Sequence, residues 1–164
     1  MLSELRRSNP FECHSVDNSP LWVNQVKKRR NFENTFFYIT NCKIGTFNDR
    51  ICTYYEVLPN ICPDLIYLDG PDLHSTEGTV RGVSTRSKDR VPMAGDILSI
   101  EHFLLPGTVI VVDGRTANAR FLRTNLQRNW SYSYFEQYDQ HVFEIMEEPL
   151  GAINAKHLDF LQRK

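Results

Sequence analysis

Pro63-Asp64-Leu65-Ile66-Tyr67-Leu68-Asp69-Gly70-Pro71-Asp72 is the stretch on which the fold turns. A short apolar run stops abruptly at two aspartates, a glycine and a proline. That is the pattern of a buried parallel strand that delivers carboxylates to the carboxyl edge of a sheet. In open α/β sheets, ligands bind outside that edge. Gly107-Thr108-Val109-Ile110-Val111-Val112-Asp113-Gly114 repeats the pattern. Two neighbouring strands that each end in Asp-Gly would form one acidic rim.

Outward from these strands, helix and strand signals alternate. Phe11 to Val16 reads as a strand ending at Asp17. Ser19 offers an N-cap and Pro20 a first helical position. Trp22, Val23 and Val26 share one face of that helix, and Lys27, Lys28, Arg29 and Arg30 crowd its last turn, where cations suit the dipole. No aromatic platform accompanies this basic run, so it reads as a solvated helix end rather than a nucleic-acid surface. Thr35 to Thr40 is β-branched and aromatic, hence a strand. Lys43 to Asn60 has no regular period. Leu73 to Arg90 is a long polar loop of the kind that carries function or motion. Met93, Ile97, Ile100 and Leu104 form one stripe of a helix opened by Pro92. A further helix from about Thr116 to Gln127 has Ala119, Leu122 and Leu126 on one face.

Near the end the period changes to two. Trp130, Tyr132 and Tyr134 alternate with serines, and His141, Phe143 and Ile145 alternate with Val142, Glu144 and Met146. Tyr138-Asp139-Gln140 lies between, so an antiparallel hairpin is expected. Residues 154–162 suggest a last short helix. The fold class that follows is α/β: a mostly parallel sheet with helices on both faces and a C-terminal antiparallel hairpin, in one domain spanning 1–164.

With 164 residues the chain can bury one core, and a formal net charge of -1 gives no sign of a nucleic-acid or membrane partner. The apolar runs are far shorter than a membrane span. Met1 to Arg7 lacks the apolar core of a secretory signal, so a cytoplasmic location is expected. Cys13, Cys42, Cys52 and Cys62 have no Cys-x-x-Cys spacing. They read as free thiols rather than as a zinc site or disulfides.

The order of these motifs resembles that of the class I S-adenosylmethionine-dependent methyltransferases, in particular small ones of sugar and secondary-metabolite biosynthesis. The matching residues are His14-Ser15-Val16-Asp17, a helix beginning Ser19-Pro20-Leu21-Trp22, the third strand, Asp64 to Gly70, Leu105 to Asp113, and the closing hairpin. The resemblance covers almost the whole chain. It implies a Rossmann-like methyltransferase fold, S-adenosyl-L-methionine as cofactor and O- or N-methylation of a small-molecule substrate. It assigns Asp17 to the ribose hydroxyls, which a carboxylate can accept from together, and Asn41 and Cys42 to the adenine. Asp69 would face the methyl end and the substrate. Asp69, Asp72 and His74 are then the candidates for taking the acceptor's proton. In the metal-dependent branch, Asp69 and Asp113 would hold magnesium. That branch often carries Asp-Asp or Asp-Asn after the later strand, where this chain has Asp113-Gly114-Arg115.

Alternatives stand beside these roles. Asp113 before glycine reads equally as a turn former, and His74 also reads as a surface histidine. His14, Glu101 and His141 carry no site signal of their own. Arg115, Arg120 and Arg123 serve either an anionic substrate or helix solubility.

The chain departs from the family at its start. Members begin with a central strand and a glycine-rich turn for the methionine moiety; here Gly45 is the only glycine before Gly70, and residues 2–10 look like the end of the helix that follows the turn. A central strand buries about five large side chains, each worth roughly 1.5–3 kcal/mol. Its loss approaches a small domain's whole stability of about 5–15 kcal/mol. Either the flanking strands close on each other, or the chain is an N-terminally truncated fragment with impaired cofactor binding; the fragment is the expectation. The alternative is a non-catalytic remnant or scaffold subunit whose bare edge favours a homodimer through strand addition. A metal-dependent hydrolase using the acidic rim is a third reading.

Overall fold

The computed structural model describes residues 11–29, 33–72 and 74–162. Residues 2–10, read above as a helix end, lie outside the described residues, as do Arg30 and Leu73. The chain runs β1 (Cys13–Asp17), α1 (Pro20–Arg29), β2 (Thr35–Ile39), β3 (Cys42–Phe47), β4 (Arg50–Tyr55), β5 (Leu65–Leu68) and β6 (Thr76–Glu77). Then come α2 (Gly95–Ile100) with a single-turn 3-10 continuation (Glu101–Phe103), β7 (Val109–Asp113), α3 (Thr116–Asn125), β8 (Trp130–Phe135), β9 (Gln140–Ile145) and α4 (Gly151–Gln162).

Among the described residues the strands form three separate sheets, one a parallel pair and two mixed, which corrects the expected mostly parallel sheet. Among the described residues, β1 pairs only with β2, β3 lies between β4 and β6, and the third sheet has the order β5-β7-β9-β8. The pairs β1/β2, β3/β6 and β5/β7 are parallel, while β3/β4, β7/β9 and β8/β9 are antiparallel. The stretch from Lys43 that lacks a period is the cause of much of the difference. Asn48 and Asp49 both take left-handed backbone, at φ 45° and 62°. Two such residues between strands turn a chain straight back, and Asn and Asp tolerate that conformation best after glycine. A hairpin therefore stands where no strand was expected.

Helices do not cover both faces of the four-stranded sheet in the expected way. Ile97 and Leu98 of α2 and Ala119 and Leu122 of α3 pack on Ile110, Val112 and Phe143, with Ile66 and Leu68 beside them. Those strand residues share one face by the period of two. Leu65 and Tyr67 point the other way and remain 50% and 55% exposed. Burying a large apolar side chain is worth roughly 1.5–3 kcal/mol, so this face contributes far less than the helix-packed one.

The expected long helix from Pro92 is shorter than its stripe. It begins at Gly95, whose place a Cβ could not take without approaching the Tyr54 ring to 2.6 Å. Ile97 and Leu104 are buried nonetheless, Leu104 beyond the 3-10 turn. The terminal hairpin forms as expected, closed by Asp139 in left-handed backbone at φ 50°. The last helix starts at Gly151, three residues before the expected 154, and docks through Leu158 against Gly107 and through His157 Nε2 to Asp64 Oδ1 at 2.8 Å.

All four cysteines are free, Cys42 and Cys52 buried and Cys13 and Cys62 exposed. No helix among the described residues is long and apolar enough to cross a membrane.

Candidate functional site

The carboxyl ends of β5 and β7 do form a common rim. They open on a shallow, solvent-open cavity of about 580 Å³. Asp69 follows β5 into it, and Asp113 ends β7 at its floor. Gly114, Arg115 and Thr116 carry the chain from β7 into α3 along one wall, and Asp139 of the hairpin turn closes the far side. Gly114 has φ +60° and its N–H donates to Asp139 O at 2.9 Å. The turn thus brings the second hairpin against the strand-to-helix corner.

The charges are arranged in pairs. Arg115 Nε lies 3.8 Å from Asp69 Oδ1, and its Nη1 donates to Pro71 O at 3.0 Å. The guanidinium thus leans on the end of β5. Tyr67 donates its phenol to Asp113 Oδ2, and Gln140 Nε2 donates to Asp113 Oδ1 at 3.4 Å. The hydrogen bond to that carboxylate, with some burial, pushes the Tyr67 phenol up to about 12. Tyr134 donates to Asp139 Oδ1 at 3.1 Å, which raises its own ionisation as well.

Behind the wall stands a group without any signal in the sequence. His141 is only 3% exposed. Its Nε2 is 3.1 Å from the hydroxyl of Thr116 and its Nδ1 is 2.9 Å from the phenol of Tyr132. Tyr134 and Tyr132 stack on it at 4.5 Å and 6.1 Å. Burial holds its pKa below the usual histidine value, against a smaller opposing pull from Asp139. A neutral imidazole thus supports a hydroxyl that lines the cavity.

The residues assigned to cofactor are not gathered here. Asp17 ends β1, and its Oδ1 accepts the Ser19 N–H at 2.6 Å. Asn41 is exposed and its amide lies on Glu56, which pairs with Lys43. Cys42 is 0% exposed, and burial, reinforced by Asp96, pushes its thiol up to about 11. Only Asp69 of that set lines the cavity. Tyr55 stands between the two halves. Its phenol oxygen is 3.1 Å from the place a Gly70 Cβ would take, and it feels the charges of both Asp17 and Arg115. Burial, then the Cys42 sulfur and the carboxylates of Asp17 and Asp96, raise its pKa far above the ordinary tyrosine value. As they stand, these residues do not fit S-adenosylmethionine in one cavity.

Of the three candidate proton acceptors, Asp69 alone reaches the cavity. Asp72 is exposed and its Oδ1 accepts the His74 N–H at 3.0 Å, a local turn. His74 is exposed beside it. Asp69 and Asp113 share the rim, but Arg115 occupies one and Tyr67 and Gln140 the other. Among the described residues no three His, Cys, Asp or Glu side chains are grouped to hold a metal. The donor set does not fit magnesium, which demands several oxygen ligands in near-octahedral order.

No protein-family model, curated protein or solved structure matches the chain.

Proposed function

We propose that the chain is the acceptor-side part of an S-adenosylmethionine-dependent small-molecule methyltransferase, acting on oxygen or nitrogen, which takes its cofactor only when one more strand lies between β1 and β5. The observation that carries this reading is that β1 and β5 do not close on each other. Each is a parallel strand paired on one side only among the described residues. Each leads into an aspartate at its carboxyl end, Asp17 and Asp69, and both ends border Tyr55.

A bare parallel edge is an unfavourable arrangement, because its N–H and C=O groups lack ladder partners and parallel sheets are normally covered. β1 has five residues and β5 has four, so one short strand would serve both edges. The resemblance gives that strand an identity: it carries the glycine-rich turn. The rim cavity is then the acceptor site. Free thiols at all four cysteines favour a reducing compartment, the cytoplasm.

Titration calorimetry with S-adenosylmethionine tests the reading. The 164-residue chain should give no heat at micromolar cofactor. A form carrying one further N-terminal strand and glycine-rich turn should bind it. Micromolar affinity of the shorter chain would remove the need for a further strand, and an extended chain that still fails to bind would end the methyltransferase reading. A scaffold subunit, the runner-up, would bind cofactor in neither form and sediment as a stable dimer through the same edges.

A further inference from the structure

We infer that Thr116 is the ligand-contacting hydroxyl of the rim cavity, that His141 is the positioning residue that turns it into an acceptor, and that the cavity takes a neutral, hydroxyl-rich small molecule. This deepens the proposed acceptor site and rests on that reading for its place in a reaction, though not for binding.

The polar side chains of the cavity are three carboxylates, a guanidinium and one hydroxyl, beside the apolar Val91 and Ala117. The carboxylates accept only. The guanidinium is already directed at Asp69 and at the Pro71 carbonyl. The carboxylates of Asp69, Asp113 and Asp139 outnumber the one guanidinium, so the net charge of the lining disfavours an anionic ligand. A ligand that brings its own donors fits. Vicinal hydroxyls suit a carboxylate, whose two oxygens can each accept one.

Thr116 decides the direction of the last bond. Its oxygen lies 3.1 Å from His141 Nε2, and His141 Nδ1 lies 2.9 Å from Tyr132 Oη. The chain Thr116–His141–Tyr132 can run either way. With the hydrogen on Nε2, the imidazole donates to Thr116, whose own hydrogen is then free to point into the cavity. With the hydrogen on Nδ1, the imidazole donates to Tyr132, Thr116 donates to Nε2, and the threonine lone pairs face the cavity. A phenolic hydroxyl, a better donor than acceptor, favours the second arrangement, in which both Thr116 lone pairs are open to it. No proton leaves the system: one imidazole hydrogen moves from Nε2 to Nδ1 and two hydroxyls rotate.

Other charged groups face this histidine. Asp139 comes from the hairpin turn, and Arg120 from α3. Tyr132 and Tyr134 stack from β8, and Arg123 of α3 lies over the Tyr132 ring at 4.5 Å. Burial outweighs Asp139 in setting the shift, so the imidazole stays neutral around pH 7. Once protonated it donates from both nitrogens. Thr116 can then no longer give its hydrogen to Nε2, and its acceptor role weakens.

Catechol, a neutral vicinal diol, is the probe. Imidazole ¹⁵N spectra of the 164-residue chain should show the hydrogen moving to Nδ1 of His141 as catechol is added. Thr116→Val should weaken catechol by about two- to tenfold, the loss of one hydrogen bond, and Thr116→Ser should restore it. Affinity should fall as the pH drops through the His141 transition in the wild type, and this step should vanish in Thr116→Val, which keeps every carboxylate. 1,2-Dimethoxybenzene, the same ring without donors, should not bind. Equal binding of the dimethoxy compound, unchanged affinity in Thr116→Val, unmoved His141 nitrogens, or no catechol binding at millimolar concentration would each overturn the inference. None of these measurements involves S-adenosylmethionine, so a failure here is separate from a failure of the methyltransferase reading.

Discussion

Removing the Glu101 carboxylate should cost this fold more than almost any other single polar change. Glu101 is 2% exposed and lies just after α2. Its Oε1 accepts the N–H of Gln127 at 2.8 Å, the N–H of Arg128 at 2.9 Å and the indole N–H of Trp130 at 2.8 Å. These three donors belong to the segment that leads from α3 into β8, so one oxygen ties the helix layer to the terminal hairpin. Arg128 answers by donating from Nη1 to Glu101 O at 3.0 Å while its Nε donates to Glu147 at 3.0 Å. In Glu101→Ala the three donors keep no partner. An unsatisfied buried donor costs about 1–3 kcal/mol, and three are left here with only partial relaxation. We take about 4 kcal/mol as the expected loss. For a chain of this size each kcal/mol lowers the melting temperature by about 2–4 °C, so a fall of roughly 8–16 °C follows. Glu101→Gln keeps an acceptor but loses the charge, and should fall by about half as much. Thermal melts followed by far-ultraviolet circular dichroism at pH 7 measure both. A drop of less than about 2 °C in Glu101→Ala would refute the clasp, since it would mean that water satisfies all three donors at little cost.

Other changes test separate parts of the molecule. Gly107→Ala places a Cβ 2.1 Å from Leu158 Cδ2 at a residue with φ +87°, so it should destabilise by about 2–4 kcal/mol, and adding Leu158→Ala should recover only the steric share; a strictly additive double mutant in urea unfolding argues against the contact. Burial raises Asp96 from 3.8 to about 7, so the folded chain holds that proton more tightly than the unfolded chain does. Stability should therefore fall as pH rises across that interval, and Asp96→Asn should compare better with wild type at pH 8 than at pH 5; equal differences at both pH values would count against a buried acid. Thiol labelling of the native chain, read by mass spectrometry, should modify Cys13 and Cys62 and spare buried Cys42 and Cys52. Hydrogen exchange should be fast at the outward amides of β5 and slow in β7, which is paired on both sides; protection of β5 equal to that of β7 would mean its edge is covered.

Much of the local structure is legible along the chain. β1, α1, β2, β5, β7, α3 and the β8–β9 hairpin fall close to where period and capping predict them. These depend on short-range chemistry: Pro20 at a helix start, alternation from Trp130 onward, and apolar runs ended by Asp-Gly. The β3–β4 hairpin was hidden because its strand residues alternate poorly and its turn is Asn48-Asp49, without glycine. The helix from Pro92 was overextended because the stripe counts Leu104, which is buried from beyond the helix end. Among site residues, Asp69 and Asp113 reach a common rim as their strands suggest. Asp17 and Cys42 end and begin strands of other sheets than the rim's, and Asn41 lies in the link before β3, so none of them is brought to the rim.

By itself the sequence determined that two short apolar runs would each end in Asp-Gly, because a β-branched and aliphatic run of strand length stopped by a turn former reads as a strand with a carboxylate at its end; that the two stand side by side, and that β5 buries only one face, came from the fold. Which sheets the strands join, and what stands behind the rim, were decided by tertiary structure alone. His141 meets Thr116 across 25 positions of chain and Glu101 meets Trp130 across 29. Neither partner alters the pattern around the other, because a hydrogen bond between distant residues constrains only where the elements pack. The same holds for the bare edges of β1 and β5. A strand's sequence specifies the side chains it buries, while the backbone groups it leaves unpaired depend on which neighbour the rest of the fold supplies.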